Sequence, residues 1–132
     1  MDAFDADVLI DAAVYDPRGA PIVRLFERNP AGVGSVLLIP ELLSQPLRRR
    51  RAAEIRVLQF MLSRLDLIAM DVRTADGAAH LGAKYKLRAA DAVHLSTAVI
   101  ANADRFITNN TKDFPVSIAE IDVTYPAMLV EA

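Results

Sequence analysis

The sequence contains no cysteine among its 132 residues. Disulfides, thiolate zinc sites and cysteine nucleophiles are therefore excluded. There are only two histidines, so a zinc site built on histidine is poorly supported. The five glycines form no glycine-rich phosphate loop, and no segment matches a P-loop or a dinucleotide fingerprint.

Aromatic residues and long apolar runs are also scarce. Aromatics make up 6% of the chain and do not alternate with basic residues, so a base-stacking platform is not indicated. No apolar run approaches the length of a membrane span, and no basic segment leads into an apolar core at the N-terminus. The sequence thus predicts no signal peptide and no membrane anchor, which fits a cytoplasmic location.

The composition is that of an ordinary globular protein, with 53% apolar and 24% charged residues. The length predicts a single domain over residues 1–132, with room for a core. The net charge is −2, but residues 43–65 hold six arginines and one glutamate. Four of these arginines form one arginine run, namely Arg48, Arg49, Arg50 and Arg51. They either guide a phosphate chain or belong to a solvated helix face.

Segments typical of strands and helices alternate along the chain. Strands are predicted at residues 3–5, 33–39, 66–70, 104–108 and 117–123. Helices are predicted at 8–13 with Asp7 as N-cap, at 20–27, from 40 onward, around 55–65, and at 74–85 and 89–101. A turn is predicted at 16–19. This alternation predicts a parallel sheet covered on both faces.

Four acidic residues border apolar segments in places far apart in the sequence: Asp5, Glu41, Asp91 and Asp113. In an open α/β sheet such positions converge at the carboxyl ends of the strands, where ligands bind. Converging carboxylates repel one another and are costly to desolvate, and a hard divalent cation is the usual remedy. The placement of the acids therefore predicts a metal-dependent site.

Each of these residues also has a plainer interpretation. Asp91 and Glu41 would favour the N-terminus of a helix in any protein. His94, three residues after Asp91, could act as a general base or proton relay, but a hydrogen-bonded core position is the favoured interpretation. The loop from Thr108 to Asp113 offers oxygen ligands for a hard cation, yet its residues are also ordinary loop residues. The prediction depends on their joint placement.

Four segments of the chain resemble the PIN-domain ribonucleases, and among them the VapC-type toxins of bacterial toxin–antitoxin pairs. They occur in the family's order and spacing: Phe4-Asp-Ala-Asp-Val-Leu-Ile10, Ser35-Val-Leu-Leu-Ile-Pro-Glu-Leu-Leu43, Leu87-Arg-Ala-Ala-Asp-Ala-Val-His-Leu-Ser-Thr-Ala98 and Arg105-Phe-Ile-Thr-Asn-Asn-Thr-Lys-Asp-Phe114. The resemblance implies a three-layer α/β/α fold with a mostly parallel five-stranded sheet. It also implies an endoribonuclease that cleaves RNA phosphodiesters with metal-activated water.

The resemblance implies that Asp5, Glu41 and Asp91 are acidic site residues around Mg²⁺ or Mn²⁺. The family usually has an aspartate where this chain has Asn110, which can still ligate through its carbonyl oxygen. Asp113 is the candidate for the missing carboxylate, and Asp7 stands where the family has a neutral residue. The expected catalytic residues are thus Asp5, Glu41, Asp91 and Asp113, the expected metal ligands are Asp5, Asp91, Asn110 and Asp113, and the supporting residues are Asp7 and Thr108.

The resemblance further implies an antitoxin partner and a homodimer. The arginine run then contacts either RNA or the partner protein. Two alternatives stay open. Asn110 suits a degenerate PIN module that binds RNA or protein without cutting it. The opening Asp5-Ala-Asp-Val-Leu9 has some likeness to haloacid-dehalogenase-type phosphatases, in which the first aspartate is a nucleophile, although Leu9 breaks that pattern.

Overall fold

Five short strands form one sheet in this computed structural model, which describes residues 1–14 and 17–129. The strands are β1 (Asp2–Phe4), β2 (Gly32–Ser35), β3 (Leu65–Ile68), β4 (Arg105–Ile107) and β5 (Asp122–Thr124). Their order across the sheet is β3-β2-β1-β4-β5, and all four neighbouring pairs are parallel. The predicted parallel sheet is confirmed, and the first strand of the chain lies at its centre.

Six α-helices connect the strands: α1 (Ala6–Ala13), α2 (Ala20–Leu25), α3 (Leu38–Arg48), α4 (Ala52–Ser63), α5 (Val72–Tyr85) and α6 (Ala89–Ile100). Local sequence explains several of their ends. Asp71 caps α5 by accepting a hydrogen bond from the Thr74 N–H at 2.8 Å. The same helix ends at Lys86, whose φ of 58° is left-handed. Short 3₁₀ helices follow α1 and β5, at Pro17–Gly19 and Pro126–Met128.

The pleat of the central strands sends neighbouring side chains to opposite faces. Phe4 and Ile107 pack into a core with α1, α2, α3 and α4. Ala3 and Phe106 pack into a second core with α5 and α6. The sheet is thus covered on both faces, which confirms the three-layer α/β/α fold. α6 is buried along most of its length, from residue 92 to residue 98.

The structure corrects several predicted boundaries. The second strand ends at Ser35, whose hydroxyl accepts a hydrogen bond from the Leu37 N–H at 3.1 Å and holds a turn into α3. The prediction continued this strand through residue 39 because residues 36–39 are all apolar, yet Leu38 and Ile39 belong to the helix. Residues 117–121 were also predicted as part of a strand. They lie in turns and bends, in which Ile118 and Ile121 are nevertheless buried. Of the turn predicted at 16–19, residue 16 lies outside the described residues.

Within the described ranges, no helix combines the length and apolar character that crossing a bilayer requires.

Candidate active site

Asp5 and Thr108 lie directly after the two central strands, β1 and β4. Because these strands are parallel neighbours, their carboxyl ends meet at one edge of the sheet. The Thr108 hydroxyl donates to Asp5 Oδ2 at 2.8 Å, and the Ala6 N–H donates to Asp5 Oδ1 at 2.9 Å. Both side chains are buried, with Asp5 only 5% exposed. Asp5 rather than Asp7 is therefore the N-cap of α1, and its carboxylate is fixed through both oxygens.

Asp91 lies in the first turn of α6 and is half-buried. Burial raises the pKa of its carboxyl group, and the charges of Asp113 and Glu41 raise it further. The charge of Asp91 in turn raises the pKa of Asp5, which burial raises most. Asp91 is thus coupled electrostatically to each of the other three acids, and the convergence of all four on one ion stays a prediction.

Glu41 lies in the first turn of α3, and its carboxylate Oε1 is bonded to Nε2 of His94 on α6. His94 is 2% exposed, while the Glu41 side chain is 33% exposed. Nδ1 of His94 has no hydrogen-bond partner among the described residues. The favoured interpretation of His94 as a hydrogen-bonded core residue is confirmed, but its partner is one of the candidate catalytic acids.

The loop after β4 is tied to the site by side-chain hydrogen bonds. Asn110 donates from its backbone N–H to Thr108 Oγ1 at 3.0 Å and from its side-chain amide to Asp113 Oδ2 at 3.0 Å. Its amide oxygen accepts from the Asp113 N–H at 3.1 Å. Asn110 therefore braces this loop and orients Asp113. Its part in metal binding stays a prediction.

Asp7 supports the same loop from α1, where both its carboxylate oxygens accept from the Asn109 N–H at 3.2 Å. Burial and the neighbouring charge of Asp5 raise the pKa of Asp7 to about 7. At neutral pH this side chain is about half protonated. Asp7 therefore carries only part of a negative charge near the site at that pH.

One contact of this loop was not anticipated from the sequence. The Asn109 side-chain amide donates to Asp11, one helical turn beyond Asp7 on α1. The spacing of Asp7 and Asp11 puts both on one face of α1, which is the signal that could have identified this pair. Asn109 thereby joins α1 to the end of β4.

The donor chemistry fits a hard cation with few protein ligands. Among the described residues, no three histidine, aspartate or glutamate side chains stand together as a ready ligand set for one ion. Mg²⁺ usually keeps several waters and uses one or two carboxylates plus substrate phosphates. Burial raises the pKa values of Asp5 and Asp91, and a neighbouring acid raises each further: Asp91 for Asp5, and Asp113 for Asp91. A bound cation would stabilise the charged form of both carboxylates.

The arginine run forms the junction between α3 and α4, and all four side chains are exposed. Arg48 is seven residues after Glu41 on α3, so the two lie on the same helix face, ~10 Å apart along the axis. Arg51 is 3.6 Å from Glu54. The arginine run therefore extends from the helix that carries Glu41, and its contacts with RNA or a partner stay a prediction.

Comparisons with known proteins agree with this arrangement. The family model described as "PIN domain" matches residues 3–116. A solved toxin–antitoxin complex from Klebsiella pneumoniae superposes with a TM-score of 0.78 at 25% identity, over 96% of this chain and 98% of that one. VapBC2 from Rickettsia felis, solved bound to a DNA fragment from its promoter, has a TM-score of 0.72 at 19% identity, over 94% and 97%. No curated protein sequence matches the chain.

Proposed function

Because the chain belongs to the PIN domain family, we propose that it is a metal-dependent endoribonuclease and the toxin of a VapBC-type toxin–antitoxin pair. PIN domains are generally nucleases that depend on divalent metal, which supports the chemistry. The likeness to the toxin–antitoxin complex from Klebsiella pneumoniae supports the biological role. The observation that carries the proposal is the placement of Asp5 and Thr108 at the carboxyl ends of two parallel strands, with Asp91 electrostatically coupled to Asp5, Glu41 and Asp113.

Asp5 and Asp91 are the residues that would hold the metal, directly or through water. When bound, Mg²⁺ or Mn²⁺ would polarise a phosphate oxygen and lower the pKa of a water. Thr108 keeps Asp5 in place through its 2.8 Å hydrogen bond. Glu41 and Asp113 are the carboxylates left to orient the attacking water and to accept its proton. Asn110 sets the direction of Asp113.

The substrate and partners follow from the same proposal. RNA is the substrate, and the exposed arginine run contacts either its phosphates or the antitoxin. An antitoxin would bind over the acidic site, and two copies of the chain would form a homodimer. An RNA substrate and the absence of cysteine both agree with a cytoplasmic location.

Substituting the buried acids tests the cleavage reaction directly. We expect Asp5→Asn and Asp91→Asn to lower the rate of RNA cleavage in Mg²⁺ by at least ~100-fold, because each removes a charge that the metal needs. The matched control is Asp66→Asn, which changes an exposed aspartate on β3. Circular dichroism should show all three variants folded. Equal cleavage by the parent protein, Asp5→Asn and Asp91→Asn would refute the proposal.

A second candidate is a PIN module that binds RNA or protein without cutting. It is favoured by the absence of a ready three-ligand set among the described residues and by Asn110 in place of an acid. Calorimetric titration with Mg²⁺ separates the two candidates, since the enzyme should bind the ion and Asp91→Asn should abolish that binding. The family match gives the phosphatase alternative no support.

A further inference from the structure

We propose that His94 is a positioning residue that fixes the Glu41 carboxylate beside Asp91 for RNA cleavage. The inference rests on the proposed function. Its basis is the bond between Nε2 of His94 and Oε1 of Glu41, two residues 53 positions apart in the sequence. His94 itself touches neither substrate nor metal in this role.

The bond joins the two helical layers of the fold. Glu41 is on α3, which packs in the core on one face of the sheet, and His94 is on α6, which packs in the core on the other face. The side chains of Glu41 and His94 therefore connect α3 to α6. His94 is three residues after Asp91, so both side chains project from the same side of α6. Fixing Glu41 to His94 therefore also fixes Glu41 relative to Asp91.

The two partners differ in exposure, so the buried residue can hold the exposed one in place. The His94 side chain is 1% exposed and held by its neighbours, whereas a third of the Glu41 side chain is exposed. A glutamate with that exposure has several rotamers available, and ordering it costs side-chain entropy. The buried imidazole is thus the fixed partner, and the carboxylate is the group that it orders.

His94 makes its side-chain hydrogen bond through only one of its two ring nitrogens, among the described residues. Among the described residues, Nδ1 finds no hydrogen-bond partner, and Nε2 is bonded to Glu41. A residue needed only for packing would not require a polar atom in this buried position. His94 also lowers the pKa values of buried Asp5 and half-buried Asp91, so its ring is electrostatically coupled to both acids.

The single bonded nitrogen allows a matched pair of variants. The side-chain amide nitrogen of glutamine can reach the position of Nε2, while that of asparagine reaches only the position of Nδ1. We expect His94→Gln to keep kcat within about threefold of the parent. His94→Asn and His94→Leu should lower kcat by ~100-fold with KM unchanged, because Glu41 loses its fixed position. Thermal unfolding checks that all three variants are folded.

A double-mutant cycle with Glu41→Gln separates positioning from packing. If His94 acts through Glu41, adding His94→Leu to Glu41→Gln should cause no further loss of kcat. A second readout, independent of activity, is the ¹⁵N NMR signal of His94 Nε2, which Glu41→Gln should shift while Asp66→Asn leaves it unchanged.

The possible results separate a failure of the proposed function from a failure of the role given to His94. A parent protein that cuts no RNA overturns both the proposed function and this inference. A parent that cuts, with His94→Asn and His94→Leu cutting equally fast, overturns this inference alone. So does a loss from His94→Leu that is as large in the Glu41→Gln background as in the parent, since His94 would then act without Glu41.

Discussion

Aspartates lie at both ends of the β1–β4 strand pair, but their surroundings differ. At the amino end the aspartates pair with cationic groups, and at the carboxyl end they lie near other acids. At the amino end, Asp2 accepts two hydrogen bonds from the Arg105 guanidinium at 2.7 and 3.2 Å. At the carboxyl end, Asp5 accepts from Thr108, a neutral hydroxyl, at 2.8 Å. β1 thus begins with an aspartate that is paired with an arginine and is followed directly by Asp5, which accepts hydrogen bonds only from neutral groups among the described residues.

The neighbouring acids follow the same division. At the amino end, the Met1 amino group bonds to Asp104 and lowers the pKa of that carboxyl group. At the carboxyl end, burial and like charges raise the pKa values of Asp5, Asp7 and Asp91. At the amino end, the paired charges therefore stabilise the folded protein. At the carboxyl end, the charged form of the carboxylates is disfavoured, and a bound cation would stabilise it.

The largest expected effect is a pH dependence that comes from Asp7. Because its folded pKa is raised from 3.8 to about 7, the folded protein keeps a proton that the unfolded chain releases near pH 4. The associated stability is complete below pH 3.8 and is lost as the pH rises through 7. The loss is at most about 4 kcal/mol, at about 1.4 kcal/mol per pKa unit. Asp7→Asn should therefore match the parent in acid and exceed it in stability above neutrality.

Urea unfolding of the parent and of Asp7→Asn over this pH range measures the difference. The control is Asp104→Asn, which should behave in the opposite way. Since the folded pKa of Asp104 is lowered, its stabilising contribution is present above the unfolded value and is lost as the pH falls. If the free energy of unfolding changes with pH in the same way for the parent and for Asp7→Asn, the Asp7 carboxylate does not destabilise the folded protein.

The next effect is stabilisation by divalent metal at the carboxyl end alone. An ion that binds only the folded state at a hundred times its Kd adds about 2.7 kcal/mol to the free energy of unfolding. Mg²⁺ should raise the melting temperature of the parent and of Asp2→Asn equally, and Asp91→Asn should not respond. Thermal melts with increasing Mg²⁺, reversed by chelator, measure this. An equal response of all three proteins would place the ion elsewhere.

A smaller effect is expected from breaking the neutralised pair at the amino end. Asp2→Asn leaves the Arg105 guanidinium without its carboxylate and should lower the free energy of unfolding by about 1 kcal/mol. The rate of RNA cleavage by the folded protein should not change. Urea unfolding and cleavage assays on the same samples test both statements. A slower cleavage rate in fully folded Asp2→Asn would contradict the division between the two ends.

The smallest effect concerns the arginines rather than the acids. Arg48→Gln and Arg49→Gln should each raise KM for RNA by about threefold without changing kcat, because an exposed phosphate contact contributes little alone. The increase should diminish at high salt. Arg105→Gln, at the amino end, should leave KM unchanged. An unchanged KM in both Arg48→Gln and Arg49→Gln would assign the arginine run to the partner protein or to solvent.

The sequence was sufficient to predict the sheet and the position of Asp5 and Thr108 at its carboxyl edge, because both follow from where apolar segments end. Asp5 and Thr108 each come directly after a strand, and the parallel pairing brings them together. Strand length was harder to predict, since an apolar run such as 36–39 suits a strand or a buried helical turn equally well. The N-cap was misassigned to Asp7 because either aspartate satisfies the capping pattern.

The hydrogen bonds within the site were beyond the reach of sequence. The pairing of His94 with Glu41 depends on how two helical layers approach each other, which no local pattern encodes. The pKa of Asp7 depends in the same way on burial and on the charge of Asp5. Sequence patterns thus located the candidate residues, and only packing determined their partners and charge states.

The central place of β1 has a consequence for protein synthesis. β1 pairs with β4, which ends at Ile107. While residues 6–104 are being synthesised, Asp5 therefore lacks the neighbour that holds it in the sheet. We expect ribosome-bound fragments that stop before β4 to leave RNA uncut. The order of synthesis would then keep the proposed nuclease inactive until β4 has been made.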